Sequence, residues 1–247
     1  MQDLLIEYID QFTKTIKIEY RLPPPIAATS TNNKLWNKLI SIHPWLTHPL
    51  NILPSAKSVV VFAIPLSYDA IKSNVSGGEP SKQWLLEYIY TNKLIEEVGN
   101  YIAKELKSRG YKTISLKPTH DFDPKSLRSK WSHKHAGYIA GLGTFGINNL
   151  LITEKGCAVR LGTIITEAII EETPKPSTEY CLVKRGYKCH KCVERCPIGA
   201  LRNWDKGKHL CYSRLTKIAL RFREELKARA SACGKCAVGI PCAIKIP

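Results

Sequence analysis

Apolar and polar positions repeat with different periods along this 247-residue chain, and the periods predict its elements. Over residues 2–16, Leu5, Tyr8, Ile9 and Phe12 recur at helical spacing, which predicts an amphipathic helix. Residues 20–56 are irregular, with Pro23, Pro24 and Pro25 in a row, and a short helix fits over 36–42. The run S-V-V-V-F-A-I-P-L at 58–66 is unbroken and apolar, as expected of a buried strand. A Gly/Ser/Pro loop follows at 73–82. From about 83 to 109, Trp84, Tyr88, Leu94, Ile95, Val98, Ile102 and Leu106 line one face of a long helix that Arg109-Gly110 closes. Thr113–Leu116 predicts a strand, 132–140 a helix, and 149–153 and Val159–Thr166 two strands joined around Lys155-Gly156. The stretch E-E-T-P-K-P-S-T-E-Y at 171–180 has the composition of a linker. The pattern reads as an α+β chain, with one domain over 1–172 and a smaller one over 173–247.

The cysteines add chemistry to that outline. All but Cys157 lie at position 181 or later: Cys181, Cys189, Cys192, Cys196, Cys211, Cys233, Cys236 and Cys242. Two cubane iron–sulfur clusters need eight thiolates, and the bacterial ferredoxin run C-x2-C-x2-C-x3-C-P is their usual carrier. Here C-H-K-C-V-E-R-C-P at 189–197 keeps the last three cysteines and the proline, while the first position is Gly186 and Cys181 upstream is the substitute. In two-cluster ferredoxin domains the cysteine before the proline serves the other cluster. That sorting places Cys181, Cys189, Cys192 and Cys242 on one cubane and Cys196, Cys211, Cys233 and Cys236 on the second. A zinc site built from Cys189-x2-Cys192 and Cys233-x2-Cys236 is the rival reading, and it leaves four cysteines without a role. Cys157, in E-K-G-C, reads as a small semi-buried residue.

Charge and targeting signals narrow the setting. The formal charge of +16 falls to about +12 if two cubanes with deprotonated ligands each carry about −2. An excess of that size favours anionic partners through steering and counterion release, although the lysines are dispersed and also suit a plain soluble surface. The opening M-Q-D-L-L-I-E-Y-I-D has no basic stretch followed by an apolar one. No window approaches the roughly 18 apolar residues of a membrane span. A cytoplasmic protein without membrane attachment is expected.

Gly141-Leu142-Gly143-Thr144-Phe145-Gly146 satisfies G-x-G-x-x-G, yet a dinucleotide site needs a strand before the glycines and a helix after them. Here the order is reversed. These glycines suit a close backbone approach to something large and flat, or a helix-to-strand turn.

The block K-W-S-H-K-H-A-G-Y-I-A-G-L-G-T-F-G-I-N-N-L-L-I-T at 130–153 resembles the G-L-G-x-x-G-x-N-x-L-L-I-T segment of epoxyqueuosine reductases and reductive dehalogenases. The likeness continues through Val159-Arg160-Leu161-Gly162, the cysteine run and Cys211-Tyr212-Ser213-Arg214-Leu215-Thr216, and is specific over about 130–242. It implies a nitroreductase-like, cobalamin-binding type of domain followed by a small two-cluster ferredoxin-like domain. Two 4Fe–4S clusters would pass single electrons to a corrinoid, and an external low-potential donor of ferredoxin or flavodoxin type would supply them. Gly141, Gly143, Gly146 and Asn148 would lie by the corrin, and Arg160 would meet one of its polar groups or sit in a salt bridge. His133 and His135 read as surface or capping residues, and His190 as a residue tuning a cluster by hydrogen bonding.

Departures from the family pattern leave the catalytic residues unassigned. The family's aspartate general acid aligns with Leu127; Asp121 and Asp123 are near but out of register, and Tyr68, Tyr138 or a water are the other proton sources. The sequence runs to Pro247, soon after the last cysteine, so neither the tRNA-binding tail of epoxyqueuosine reductases nor the export signal of reductive dehalogenases is expected. Three functions remain open: a corrinoid-dependent reductase, an electron-transfer iron–sulfur protein without tightly bound cobalamin, and a nucleic-acid-binding module, with tRNA as the anionic partner, whose clusters are structural.

Overall fold

The structure, a computed structural model, describes residues 1–118 and 122–247. Asp121, one of the two aspartates near the acid position, lies outside the described residues. In chain order the elements are α1 (Gln2–Ile16), β1 (Ile26–Ser30), α2 (Lys34–Ile42), α3 (Pro49–Ile52), β2 (Ser58–Pro65), α4 (Tyr68–Ser73), α5 (Lys82–Ser108) and β3 (Thr113–Leu116). There follow β4 (Phe122–Asp123), β5 (Arg128–Ser129), α6 (His133–Ala140), β6 (Thr144–Phe145), β7 (Leu151–Ile152), β8 (Val159–Thr166), α7 (Lys191–Glu194), α8 (Trp204–Arg221) and α9 (Arg223–Leu226).

The main sheet runs β1-β2-β8-β3, antiparallel throughout. Every residue of β2 is buried, because both faces of this central strand are covered. Its side chains alternate with period two. Val60, Phe62 and Ile64 enter a core with Ile9 of α1 and Leu94, Val98 and Ile102 of α5, whereas Val59, Val61 and Ala63 pack with Trp36 of α2 and Ala136 and Ile139 of α6. The result is a three-layer sandwich with an antiparallel centre. Gly162 stands opposite Phe62 in register, and a Cβ there would collide with the phenyl ring. The glycine lets the large ring fill the α5 side of the sheet.

Two expectations need correction. Residues 26–30 form β1, although the preceding prolines and the small, mixed residues I-A-A-T-S carry little strand signal; pairing with the apolar β2, Ala27 opposite Val61, makes the strand. The loop expected over 73–82 is found at 74–81, but between β2 and the loop stands α4, which the sequence reading leaves out and which Ser67 caps by accepting from the Ala70 N–H. α5 matches its apolar stripe and is capped by Ser81.

Beyond residue 172 the described chain has the 18-residue α8, shorter helices and turns, and no strand. Its core is shared across the expected boundary: Leu66, Trp84, Leu85, Ile152 and Ala158 pack with Cys181, Cys192, Ile218, Val238 and Ile240. Polar staples reinforce that seam. Arg21, buried, donates to the carbonyls of Leu66, Lys155, Ala158 and Ile244, and Cys157 and Ala158 N–H groups donate to the carbonyls of Cys242 and Ala243. Among the described residues no helix is long and apolar enough to cross a membrane.

Candidate functional site

The eight late cysteines come together in two sets. Cys181, Cys189, Cys192 and Cys242 line a small cavity of about 20 Å³ together with Gly146, Ile147, Asn148 and Pro241. Cys196, Cys211, Cys233 and Cys236 line a larger cavity of about 270 Å³ whose other walls include Leu66, Trp84, Tyr88 and Arg160 from the sheet region. All are free thiols. Short, tight elements position them: Cys192 on α7 with Cys196 just beyond it, Cys211 on α8, and Cys236 on a 3-10 turn opened by Gly234 in the left-handed region (φ 70°).

Burial and the neighbouring sulfurs of its own set push the Cys192 thiol up to about 11. The same causes raise Cys211 to about 11 and Cys236 to about 12. Four gathered thiols resist ionising together unless a cationic centre binds them, which is the charge logic of a thiolate-held metal site. Among the described residues no three His, Cys, Asp or Glu side chains are gathered closely enough to hold a single metal ion. A further sign is Trp84. Its Nε1 is buried without a hydrogen-bond partner among the described residues, and its ring lies against Gly234 on the cavity wall. An indole N–H there suits a sulfur or sulfide acceptor. The donor set therefore fits iron–sulfur clusters.

The second set carries an inner shell of cations. Arg214 Nε donates to Cys233 Sγ at 3.3 Å, its Nη2 donates to Gly78 O, and Nη1 pairs with Glu79 at 3.3 Å. Lys235 is buried and donates to Asn74 O and Ser76 O at 2.9 and 2.7 Å. Arg195 donates to Lys235 O and Val75 O. Asn74 Nδ2 donates to Cys233 O. The 74–79 loop, which composition marks only as a loop, thus wraps the second set. Around the first set the arrangement is less polar: the Cys157 thiol donates to Ala237 O at 3.9 Å and accepts from Asn148 Nδ2 at 4.0 Å. Cys157 is buried rather than semi-buried.

The residues expected to meet a corrin are committed elsewhere. Gly141 ends α6 in the left-handed region (φ 85°), and a Cβ on it would press on the carbonyls of Thr173 and Pro174. Gly143 faces the Ile152 carbonyl across the β6–β7 hairpin, and Gly146 faces the side chain of Asn148. Asn148 donates to Cys236 O at 2.9 Å and accepts from the Leu150 N–H. Arg160 Nε donates to Asn92 Oδ1 at 2.7 Å while its guanidinium lies 4.3 Å from the Tyr88 ring centroid. The glycines' close approaches are made to the protein's own chain, while Gly146 and Asn148 line the smaller cavity and Arg160 the larger one. Arg160 also has an amide and a ring as neighbours where a salt bridge was the other expectation.

The remaining candidates are placed as follows. His133 is buried, not at the surface, bonded to Thr163 Oγ1 and Lys117 O. His135 bonds the α6 cap, Ser132. His190 is exposed, and its carbonyl opens α7 by accepting from Val193 and Glu194. Asp123 accepts from Ser126 and Lys125 in an exposed turn, and these hydrogen bonds hold its carboxyl below the usual range; a poor proton donor results. Tyr68 and Tyr138 are exposed and do not line the larger cavity, whereas Tyr88 does. Arg214 had a signal in the sequence, since it follows Cys211 by one helical turn.

No protein-family profile matches the chain. The chain is 26% identical over 203 residues to the epoxyqueuosine reductase of Bacillus cereus, covering 79% of this chain and 50% of that protein. The solved epoxyqueuosine reductase of Bacillus subtilis superposes with a TM-score of 0.56 at 22% identity, over 98% of this chain and 66% of that one. The chain is similar to epoxyqueuosine reductases in sequence and shares their fold. Another epoxyqueuosine reductase, solved with an epoxyqueuosine-modified tRNA stem loop, matches with a TM-score of 0.58 at 22% identity, over 97% of this chain and 66% of that one. The chain therefore spans about half the length of the curated relative it matches.

Proposed function

We propose that this chain is an iron–sulfur oxidoreductase of the epoxyqueuosine reductase type, passing single electrons from an external low-potential donor to an acceptor at the Arg160 cavity. One observation carries the reading: the eight late cysteines divide into two sets around two cavities, and the larger cavity is walled by the sheet region. Cys181, Cys189, Cys192 and Cys242 would hold one 4Fe–4S cluster, and Cys196, Cys211, Cys233 and Cys236 the other. Bound clusters supply reversible one-electron transfer. The protein's own residues orient and shield them. Asn74 and Asn148 anchor the carbonyls of Cys233 and Cys236, Arg214 donates to the Cys233 sulfur, and the Trp84 ring covers the 3-10 turn. Residues 173–247 act as the two-cluster, ferredoxin-like unit, built on helices and turns and docked against the 1–172 region. A thiolate set of this kind belongs in a reducing, cytoplasmic compartment.

A second reading, a corrinoid-dependent reductase, is favoured by the homology and by the cavity beside the second set. On that reading Arg160, which lines the cavity, would be the expected residue nearest the corrin, and no step is assigned to it. The charge of +16 and the homologue solved with a tRNA stem loop support an anionic, tRNA-like substrate. Tyr88 is the cavity-lining group best placed to hold a proton.

Anaerobic purification with iron, cobalt and zinc counted per chain tests the proposal. About eight irons are expected in the wild type, and about four in Cys192→Ser, with the second set retained. Zinc in place of iron sinks the reading. Cobalt at about one per chain, with cobalamin absorption, selects the corrinoid reading, and its absence from a protein that still relays electrons selects the electron carrier.

A further inference from the structure

The two cysteine sets differ in the charge that surrounds them. Beside Cys196, Cys211, Cys233 and Cys236 stand Arg214, touching a ligand sulfur at 3.3 Å, and Lys235, with its ammonium held among backbone carbonyls. The Arg214 side chain is 15% exposed and Lys235 is 2% exposed, so water screens neither well. Arg160 and Trp84 line the same cavity, and the Trp84 Nε1 has no hydrogen-bond partner among the described residues. Beside Cys181, Cys189, Cys192 and Cys242 the lining cation is Lys191, which is 60% exposed and paired with Glu194. Among the described residues no side chain donates a hydrogen bond to a sulfur of that set, and the neutral Cys157 thiol nearby donates to Ala237 O instead. Glu79 opposes Arg214, but it is half exposed and its charge is correspondingly screened.

A 4Fe–4S cluster with four thiolates gains one negative charge on reduction, from about −2 to about −3, so nearby cations and charge-assisted donors favour the reduced form. From this asymmetry we propose that Arg214 and Lys235, clamped by the 74–79 loop, make the second cluster the more easily reduced of the two, so that an electron entering the chain settles beside the Arg160 cavity. The inference rests on the two-cluster reading above. The donor, a one-electron reductant of ferredoxin or flavodoxin class, loses one electron. The second cluster gains it, and no bond or proton changes hands. Arg214 is a positioning residue in this scheme: it sets where the electron rests.

A dye-mediated redox titration of the reconstituted protein, followed by EPR with iron counted in each sample, tests this. Two one-electron steps are expected. Arg214→Gln should shift the upper step to lower potential and leave the lower step in place, Arg214→Lys should restore part of the shift, and Lys191→Gln should move neither step. Glu79→Gln alters a half-exposed side chain and keeps Arg214, so it should fold normally and shift the upper step to higher potential. That sign serves if Arg214→Gln fails to load iron. An upper step unmoved by Glu79→Gln and Arg214→Gln, or a shift confined to the lower step, overturns the inference while the two-cluster reading stands. Wild-type protein with fewer than about eight irons overturns both.

Discussion

β2 and the cysteine segment are both embedded in the protein, and they are held there by opposite means. Along β2 each residue finds a neighbour simply by being apolar: Val60, Phe62 and Ile64 on one face, Val59, Val61 and Ala63 on the other. Such contacts are non-directional and add up. In the cysteine segment, short helices and turns leave less surface to bury, and named polar atoms hold the chain in place. Arg21 gathers four carbonyls, Asn148 and Asn74 take the carbonyls of Cys236 and Cys233, and the 157–158 backbone pairs with 242–243. This second region depends on the first and, on the reading proposed here, on its metal.

The strongest way to break this contrast is to remove the iron. Chelation under oxidising conditions should abolish hydrogen-exchange protection across 181–242 while β2 and β8 keep theirs, because thiolate–metal bonds contribute folding energy directly. Equal loss in both regions would show that the shared core, not the metal, holds the segment. Next in size is Arg21→Met. Removing a buried cation that satisfies several carbonyls should cost about 3–5 kcal/mol and raise protease sensitivity near 242–247 before the sheet opens. Ile64→Ala, at a fully buried β2 position, should cost about 2–5 kcal/mol, lower the unfolding midpoint and leave the iron content of the folded protein unchanged. Iron loss from Ile64→Ala at temperatures where the sheet is intact would erase the distinction.

The same contrast explains what could be read from the residues in advance. β2, α5 and α6 were legible because burial there is a local pattern, repeated every two or every three to four positions. β1 was not, because Ala27 and Ala28 become strand only through pairing with Val61 and Val60. The cysteines were legible as ligands from their number and spacing. Their surroundings were not: Lys235 meets Asn74 across 161 positions of sequence, and Arg214 meets Gly78 across 136. No periodicity encodes a lysine that finds a carbonyl in a distant loop. The glycines of 141–146 show the converse. Their pattern correctly signals close approach, but the approaching group is the protein's own chain at 152 and 173–174.

The smallest predicted effect also tells the two regions apart, through pH. His135, on α6 of the sheet region, sits among His43, Phe145 and the Ser132 cap. Burial, with help from nearby His43 and Lys134, lowers it from the ordinary 6.5 to about 4. The folded protein therefore holds this ring neutral, while the unfolded chain takes up a proton near pH 6.5. Its contribution to stability is complete above about 6.5 and is lost progressively as pH falls toward 4, because only the unfolded state binds the proton. Glu87 works against it. Burial raises that carboxyl even though Ser67 donates to it twice, so acid favours the fold at this position. The difference between wild type and His135→Gln isolates the histidine. The fall in urea midpoint from pH 7.5 to 5 should be larger in the wild type than in the variant, with iron content unchanged at both values. Parallel slopes in the two proteins would mean that His135 is protonated in the fold and that the aromatic cluster around it is open to water.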